Sequence, residues 1–557
     1  MSSNLSNVKN DTLSVCTFNV LAPCYKRLSS ENDRESLHES LWHRRHSSII
    51  NLLQSLEIDL ICLQEFWFKN SLFIQLYKAN LSPKYSFYTL QRTGFLDDGL
   101  AILIDSNRVK FLDRYDMKLH DIGNRMGDGV SQWTARPDIF PDGLQTVHRR
   151  LENISLAAHN RYWAYDTVYK QNYSFVLDES NKKALPIGND SFWIDLFTQA
   201  HDWGLILYEQ DWLDRQTIDF LPTRTDINIG HQWLMSMGSA ADKIGLNIQY
   251  CMSLPRHILS ALQIPRVTQA RASTDYAFHL DGKAQQWTIG ISSMFVDAIG
   301  LAPFKDVFWS TSLQPGSPYK PNAEEVLPLR EILIATLSTG PVSPGDAINY
   351  TNTQHIMKCC RGDGLILKPD QPLTMINRLV SDWAFYEGVS QGELYSTKTN
   401  IHGQVFYTIF ASAMKQDYLV YPSMIGAQPG VIWSYDNPTA VSTFDGDHPL
   451  NVSTAKCHDL SICLWYVSPL IIFSSSTKYA LLGEWNKWTA ISSQRIIGID
   501  NFIGSNFALI TVYGLVSEVV PILVFHSNLS IVNVTCRMHP DEVEAQLVID
   551  DHRAGCY

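Results

Sequence analysis

The amino-acid sequence predicts an α/β protein with three textures in series, and three observations carry that reading. Apolar runs of strand length crowd residues 14–113, strand-then-helix alternation fills residues 127–378, and the helical period vanishes from residue 387 onward. The expected order is a β-rich α/β segment at 1–126, a parallel sheet or barrel at 127–386, and an antiparallel β-sandwich at 387–557.

In the first segment SVCTFNVL, DLICLQEF, YSFYTL and GLAILI read as strands. Residues 40–56 read as a helix, because Leu41, Ile49, Ile50, Leu53 and Leu56 fall mostly on one face. In the second, LILYEQD, NIQYCM, RVTQARASTDY, APFKDVFWS and TGPVSP alternate with amphipathic stretches, and HNRYWAYDTVY (159–169) reads as an early strand of the same sheet. The third repeats short strands such as VFYTIFAS, LSICLWYVS and YALLGEW. Residues 508–525 approach membrane-spanning length, but Gly514, Ser517, Glu518 and Pro521 interrupt them, so they are expected to form two short strands.

With 45% hydrophobic and 18% charged residues, the composition is that of a globular protein and excludes wholesale disorder. Lys plus Arg total 44 against 56 Asp plus Glu, and no long basic run offers a footprint for nucleic acid or an anionic membrane. The first fifteen residues lack the apolar core of a signal peptide, which predicts the cytosol for the chain as written. Ten cysteines lie scattered, in spacings that suit neither a zinc site nor a dense disulfide framework, and leave the redox compartment open. Asn-x-Ser/Thr triplets occur at Asn4, Asn10, Asn80, Asn153, Asn172, Asn189, Asn349, Asn451, Asn528 and Asn533, a motif short enough to arise by chance.

Two strands in the first segment each end in one polar side chain: TFNVLAP in Asn19 and ICLQEFW in Glu65. Such rim oxygens suit a hard cation such as Mg²⁺. Together with Trp42 and Arg45 on the helix, Arg92, and the DGLA strand at 98–101, they make residues 14–126 resemble the start of the endonuclease/exonuclease/phosphatase superfamily. The resemblance implies Glu65 as a Mg²⁺ ligand, Asn19 as a metal-supporting or phosphate-orienting amide, and nucleic acid or another phosphoester as substrate. That family's later Asp-x-Asn or Asn-x-His strand and terminal Asp-His pair have no counterpart in the right context. The strings GDH (446–448) and DDH (550–552) fall in the β-rich end and read as chance matches. This segment is therefore expected to be a truncated phosphoesterase-like fragment.

In the middle segment Asp211 directly follows an apolar strand, and Asp275 follows another after Arg271 and Ser273. A strand-end aspartate can cap the next helix, but in a parallel barrel it also stands where catalytic groups stand. Two carboxylates about 5 Å apart are the minimum equipment of a retaining glycosidase. The order Glu209-Gln210-Asp211, Cys251-Met252-Ser253, Arg271 to Asp275, Phe308-Trp309-Ser310, Gly340-Pro341-Val342 and residues 363–368 resembles the raffinose-synthase and α-galactosidase group.

That resemblance implies Asp211 as nucleophile, Asp275 as acid/base, and Arg271 as a positive charge beside the sugar or the acid. Asp166 would hold hydroxyls, and Trp163 would either stack on a sugar or pack in the core. The substrate would be a carbohydrate and no cofactor would be needed. Three departures accompany it: Glu209 stands where the group has lysine, Thr274 replaces the first of two aspartates, and the first two barrel strands are absent. The expected architecture is an incomplete TIM-type (β/α) barrel followed by a β-sandwich, joined near residues 126–131 to the phosphoesterase-like front, as a rearranged or misassembled gene would produce. Three functions follow as expectations: a glycoside hydrolase or transglycosidase, a Mg²⁺-dependent phosphoesterase, or a non-catalytic fusion whose two sites are both incomplete.

Overall fold

The structure is a computed structural model. It describes residues 14–29, 33–56, 58–91, 97–109, 129–152, 154–276, 289–315, 324–385, 392–458, 460–473, 476–502, 506–528 and 530–557. Two compact units are present, Met1–Leu144 and Gln145–Tyr557. Both expected internal boundaries, near 126 and near 386, fall on residues outside those described.

In the first unit, strands β1 (Val15–Asn19), β2 (Leu60–Trp67), β3 (Tyr85–Gln91) and β4 (Asp98–Asp105) form one sheet in the order β1-β2-β4-β3. Only β1 and β2 run parallel, and helix α1 (Glu39–Ser55) connects them; helix α2 (Ser71–Leu81) follows β2. The buried stripe of α1 is Trp42, His46, Ile50 and Leu53, rotated from the aliphatic face expected. Its cause is aromatic packing: Trp42 and His46, one turn apart, meet Phe73 of α2 at 5.9 and 4.6 Å between ring centres. Asn70 starts α2 by accepting hydrogen bonds from the amides of Leu72 and Phe73.

In the second unit, β5 (Leu156–Asn160), β9 (Leu205–Gln210), β10 (Asn247–Tyr250), β11 (Val267–Arg271) and β12 (Ala302–Phe304) make a five-stranded, wholly parallel sheet. Their spatial order is their chain order, the consecutive winding that the alternating sequence predicts. Helices α3 (Ser191–Asp202), α4 (Ile227–Ile244), α5 (Pro255–Ser260) and α6 (Ile289–Ala298) connect them. Gly245, at φ 86°, ends α4 in the left-handed conformation that an L side chain resists. Among the described residues the sheet is open: β5 and β12 each have one partner strand, so no closed barrel is present.

A small antiparallel sheet, β6 (Trp163–Ala164), β7 (Phe175–Asp178) and β8 (Lys183–Pro186), interrupts the winding between β5 and α3. The stretch read as one early strand is thus two elements, and only the part ending at His159-Asn160 belongs to the parallel sheet.

From β13 (Thr374–Met375) onward every pairing is antiparallel. A six-stranded sheet contains β13, β14 (Glu393–Ile401), β15 (Gln404–Ser412), β17 (Gly430–Ser434), β18 (Asn437–Phe444) and β20 (Cys463–Pro469). The short strands β16 (Tyr418–Val420) and β19 (Leu450–Val452) pair beside it. Two four-stranded sheets follow: β21 (Ile471–Ile472), β22 (Lys478–Gly483), β25 (Val519–His526) and β26 (Ser530–Arg537); then β23 (Ile496–Phe502), β24 (Phe507–Tyr513), β27 (Glu544–Asp550) and β28 (Ala554–Cys556). The apolar stretch at 508–525 is β24 and β25, two strands of different sheets, as expected. Ile510, Val512, Ile522, Val524, Leu547 and Ile549 bury their side chains in one shared core. Disulfides close Cys457 on Cys463 and Cys536 on Cys556.

Helix α7 (Pro328–Leu337) is buried from Arg330 to its end and carries two adjacent charges, Arg330 and Glu331. Glu331 takes Lys305 Nζ at 2.9 Å and Arg330 Nη2 at 2.9 Å, while Arg330 Nη1 lies 3.9 Å from Glu393 on β14. Each ion is 5% exposed or less, so none is compensated by water. Removing one partner of such a network leaves an uncompensated buried charge, at a cost of about 3–5 kcal/mol. Glu331→Gln is expected to lower the urea midpoint of the full chain by an amount equivalent to at least ~3 kcal/mol, read from tryptophan fluorescence. An unchanged midpoint would refute the role given to this network.

Candidate functional site

Register sets the site. His159 pairs with Glu209, Glu209 with Gln249, and Gln249 with Gln269, so four polar side chains form one row across β5, β9, β10 and β11. Side chains alternate along a strand, and the alternate positions Tyr208, Ile248, Tyr250 and Ala270 are fully buried on the opposite face. Parallel barrels usually fill their interior with Val, Ile and Leu. Here the row on that face is polar.

Asp211 stands just beyond β9. Its Oδ2 meets His159 Nε2 at 3.0 Å, and its Oδ1 accepts the Trp212 amide at 2.7 Å. Burial opposes the charged carboxylate, but the hydrogen bonds from His159, the Cys251 thiol and the Trp212 amide outweigh it and hold Asp211 below the ordinary carboxylate range. Glu209, two residues earlier, is pushed the other way by burial, against the pull of His159 and Gln249. Two neighbouring carboxylates are thereby separated in acidity, the arrangement that divides charged from protonated roles.

The backbone around Asp211 is braced from behind. Asn160 Nδ2 donates to Tyr208 Oη at 2.7 Å, Tyr208 donates to Gln210 Oε1 at 3.0 Å, and Gln210 Nε2 reaches the carbonyls of Arg161 and Asp211 at 2.8 and 2.9 Å. Trp212 and Met252, the residues after Asp211 and Cys251, sit at φ 55° and 47°, left-handed conformations that are costly for bulky side chains. Helix capping, the alternative for a strand-end aspartate, falls to Asp214 instead, whose Oδ1 accepts the Arg215 amide at 2.7 Å.

Arg271, at the end of β11, binds Asp275 Oδ1 at 2.6 Å and Asp306 Oδ2 at 3.3 Å. The Asp275 side chain is two-thirds exposed, whereas Asp306, just beyond β12, is held by the Tyr276 amide at 2.7 Å and donates its own amide to Ser273 Oγ at 2.9 Å. A cavity of about 380 Å³ opens beside them, lined by Met252, Ser253, Arg271, Ser273, Thr274 and Phe295.

Trp163 is a correction. It is wholly buried, edge-on to Tyr169, Phe192 and Trp193, and offers no ring face to a sugar, so the core alternative is the one observed. Asp166 lies exposed in the turn after β6, off the parallel sheet. Sequence reasoning passed over His159 and Asp306. It also passed over half-buried Trp212, whose ring lies 4.9 Å from the Arg161 guanidinium and 5.5 Å from Tyr162. The signal for His159 was its strand-end place one residue before Asn160, masked by the aromatic run that follows.

In the first unit Asn19 Nδ2 donates to Glu65 Oε1 at 2.9 Å, while its own Oδ1 accepts the Leu21 amide at 2.8 Å. Glu65 sits at a bulge between Gln64 and Phe66, at φ 54°, which turns its side chain to the sheet rim. Its Oε2 is buried without a hydrogen-bond partner. Arg45 fixes the loop after Asn19 by donating to the carbonyls of Val20 and Leu21 at 2.8 and 2.7 Å. Asp98 accepts from Tyr25 Oη at 2.7 Å, and Arg92 lies outside the described residues.

Mg²⁺ keeps most of its waters and needs only one or two carboxylates besides substrate phosphate. The orphaned oxygen of Glu65 fits one such contact, and Asn19 fits the orienting amide. Among the described residues no cluster of three or more His, Cys, Asp or Glu forms a protein cage for a metal. His448 bonds Asp445, and Asp550 binds the His552 and Arg553 amides, so both Asp-His strings are local turns.

No family model matches the chain. Over 156 residues it is 35% identical to an Arabidopsis thaliana protein named as an uncharacterized calcium-binding protein, covering 27% of this chain and 32% of that one. Over 86 residues it is 33% identical to Protein angel of Drosophila melanogaster, covering 15% and 24%. The chain thus spans a third or less of the length of these curated relatives. Among solved structures it is similar to an α-galactosidase from Thermus thermophilus in complex with stachyose, at 12% identity and a TM-score of 0.27, covering 39% of this chain and 52% of that one.

The acidity of Asp211 rests partly on His159, the foremost of the interactions opposing burial. Replacing His159 by Phe is expected to move the Asp211 titration upward, measured by carboxyl-carbon NMR against pH. An unmoved titration would show that the histidine does not hold this carboxylate.

Proposed function

We propose that residues 145–557 act as a retaining glycoside hydrolase or transglycosidase of the α-galactosidase and raffinose-synthase type. One observation carries the reading: Asp211, beyond the end of a parallel strand on a polar sheet face, is kept ionised by His159, Cys251 and the Trp212 amide. An ionised, oriented carboxylate is what attack on an anomeric carbon requires.

In this reading Asp211 forms the glycosyl-enzyme bond as the leaving oxygen departs. Asp275 protonates that oxygen and then takes a proton from the incoming water or acceptor sugar. Arg271 is shared between Asp275 and Asp306 and sets its positive charge beside the acid. Glu209, in the place of a lysine, offers hydroxyls an acceptor instead of a donor, and Trp212 takes the stacking role that Trp163 is too buried to fill. The domains read as an incomplete barrel at 127–386 and a β-sandwich at 387–557. Carbohydrate is the partner, and no helix among the described residues is long and apolar enough to cross a membrane.

Purified full chain is expected to release galactose from an aryl α-galactoside, and Asp211→Asn to lower the rate by at least ~10³-fold with an unchanged circular dichroism spectrum. Because Asp211 stays charged below the ordinary carboxylate range, the acid limb of the wild-type pH profile should also lie below that range. Undiminished turnover in Asp211→Asn would remove the assignment.

A second reading concerns the first unit, and the unpartnered Glu65 Oε2 favours it: a Mg²⁺-dependent phosphoesterase site in which Glu65 is the metal ligand and Asn19 orients it. The partial similarity to Protein angel agrees with it at a coarse level. The bound cation would polarise a phosphoester oxygen. The name of the Arabidopsis relative attributes calcium binding to that protein, so both cations belong in the assay. Hydrolysis of bis(p-nitrophenyl) phosphate is expected to require Mg²⁺ and to vanish in Glu65→Ala; metal-independent hydrolysis overturns the reading. Silence toward both substrate classes would leave the non-catalytic fusion.

A further inference from the structure

The β-rich end of the chain carries a chemistry that neither reading uses. All four bonded cysteines lie there, and the remaining six, Cys16, Cys24, Cys62, Cys251, Cys359 and Cys360, are free. Cys536 on β26 and Cys556 on β28 join strands of two different sheets, and Cys536 is fully buried in the core those sheets share. Such a bond persists in an oxidising compartment and is rare where thiols are kept reduced.

Strand β26 is also the edge of its sheet. In the order β21-β22-β25-β26 it has a ladder partner on one side, and its sequence reads Ser-Ile-Val-Asn-Val-Thr-Cys-Arg. Val534 and Cys536 point into the core, so Asn533 and Thr535 share the outer face, both exposed. They are the first and third residues of an Asn-x-Thr triplet. The Asn528 amide reaches Thr477 Oγ1 and the Asp551 carbonyl, each at 3.3 Å. An exposed edge strand invites pairing with another chain, and a bulky polar group on it prevents that.

We propose that Asn533 is an N-glycosylation site and that this domain matures in an oxidising, glycosylating compartment. The disulfide between sheets points to that environment, and the exposed triplet asparagine on the adjoining edge strand stands where such an environment would modify it. In the transfer step a bond forms between Asn533 Nδ2 and the anomeric carbon of a lipid-diphosphate-linked oligosaccharide. The bond from that carbon to the diphosphate oxygen breaks, the lipid diphosphate leaves with the electron pair, and the amide gives one proton to solvent. In disulfide formation each thiol pair loses two protons and two electrons to a protein disulfide donor, which is reduced to its dithiol.

The test uses full-length chain immunopurified from cells that make it. Free thiols are alkylated before reduction and the rest with a heavier reagent afterwards; a second aliquot is treated with peptide N-glycosidase in heavy-oxygen water, and both are mapped by mass spectrometry. The expected result is that Cys457, Cys463, Cys536 and Cys556 react only after reduction, and that Asn533 is recovered as heavy-labelled Asp. Asn533→Gln, secreted as full chain from a eukaryotic host, should lose one glycan step in electrophoretic mobility. Free reaction of the four thiols before reduction, an unmodified Asn533 peptide without glycosidase, or unchanged mobility of the variant each overturn the proposal.

Discussion

A buried charge network is the constraint on which the second unit depends. Lys305, one residue past β12, reaches Glu331 in the middle of α7, and the neighbouring Arg330 faces Glu393 at the start of β14. Burying four ions is costly, and the network persists because each finds a partner in surroundings that exclude water. Its reward is position. The last parallel strand, the buried helix and the first long strand of the six-stranded sheet are tied to one another by these charge contacts. Asp306 follows Lys305 directly and meets Arg271, so the carboxylates beside the cavity inherit their placement from ions buried beneath them.

The candidate site is built on the same economy of register. A one-residue slip would turn a strand's entire side-chain set to the other face. Because His159, Glu209, Gln249 and Gln269 share a row, they form a polar surface only if β5, β9, β10 and β11 keep their pairing. The aromatic residues on the reverse face, Tyr208 and Tyr250, enforce that pairing by burying themselves. Apolar burial thus sets the geometry, and the polar row uses it. Strain collects at the ends of these strands, at Trp212 and Met252, where the chain must leave the sheet without carrying Asp211 and Cys251 away from His159.

Much of this was legible because it is periodic. Strand-then-helix alternation foretold the parallel sheet, and the strand-end rule found Asp211, Arg271, Asn19 and Glu65 at sheet rims. What the sequence hid depended on three-dimensional partners. Trp163 reads like a sugar platform, but three aromatic neighbours from the antiparallel excursion and α3 enclose it. His159 reads like one polar residue among several until β9 is placed beside β5. The α1 stripe was misjudged because aliphatic residues were weighed above Trp42 and His46, which pack against Phe73. The cysteine pairs were invisible for the same reason: separations of 6 and 20 residues carry no signature until the fold brings Cys457 to Cys463 and β26 to β28.

The open sheet gives the polar row a physical sense. With β5 at one edge, the face that a closed barrel would seal stays accessible, and the side chain of His159 remains 45% exposed beside a carboxylate that is nearly buried. In a closed barrel a charged side chain in that row would face a dry interior and need a counter-ion. Here His159 at the edge is open to water, and Glu209 stands largely buried with His159 and Gln249 sharing it from the flanking strands. A contact that steadies Asp211 thus comes from His159 on the neighbouring edge strand, set by the pairing of β5 with β9.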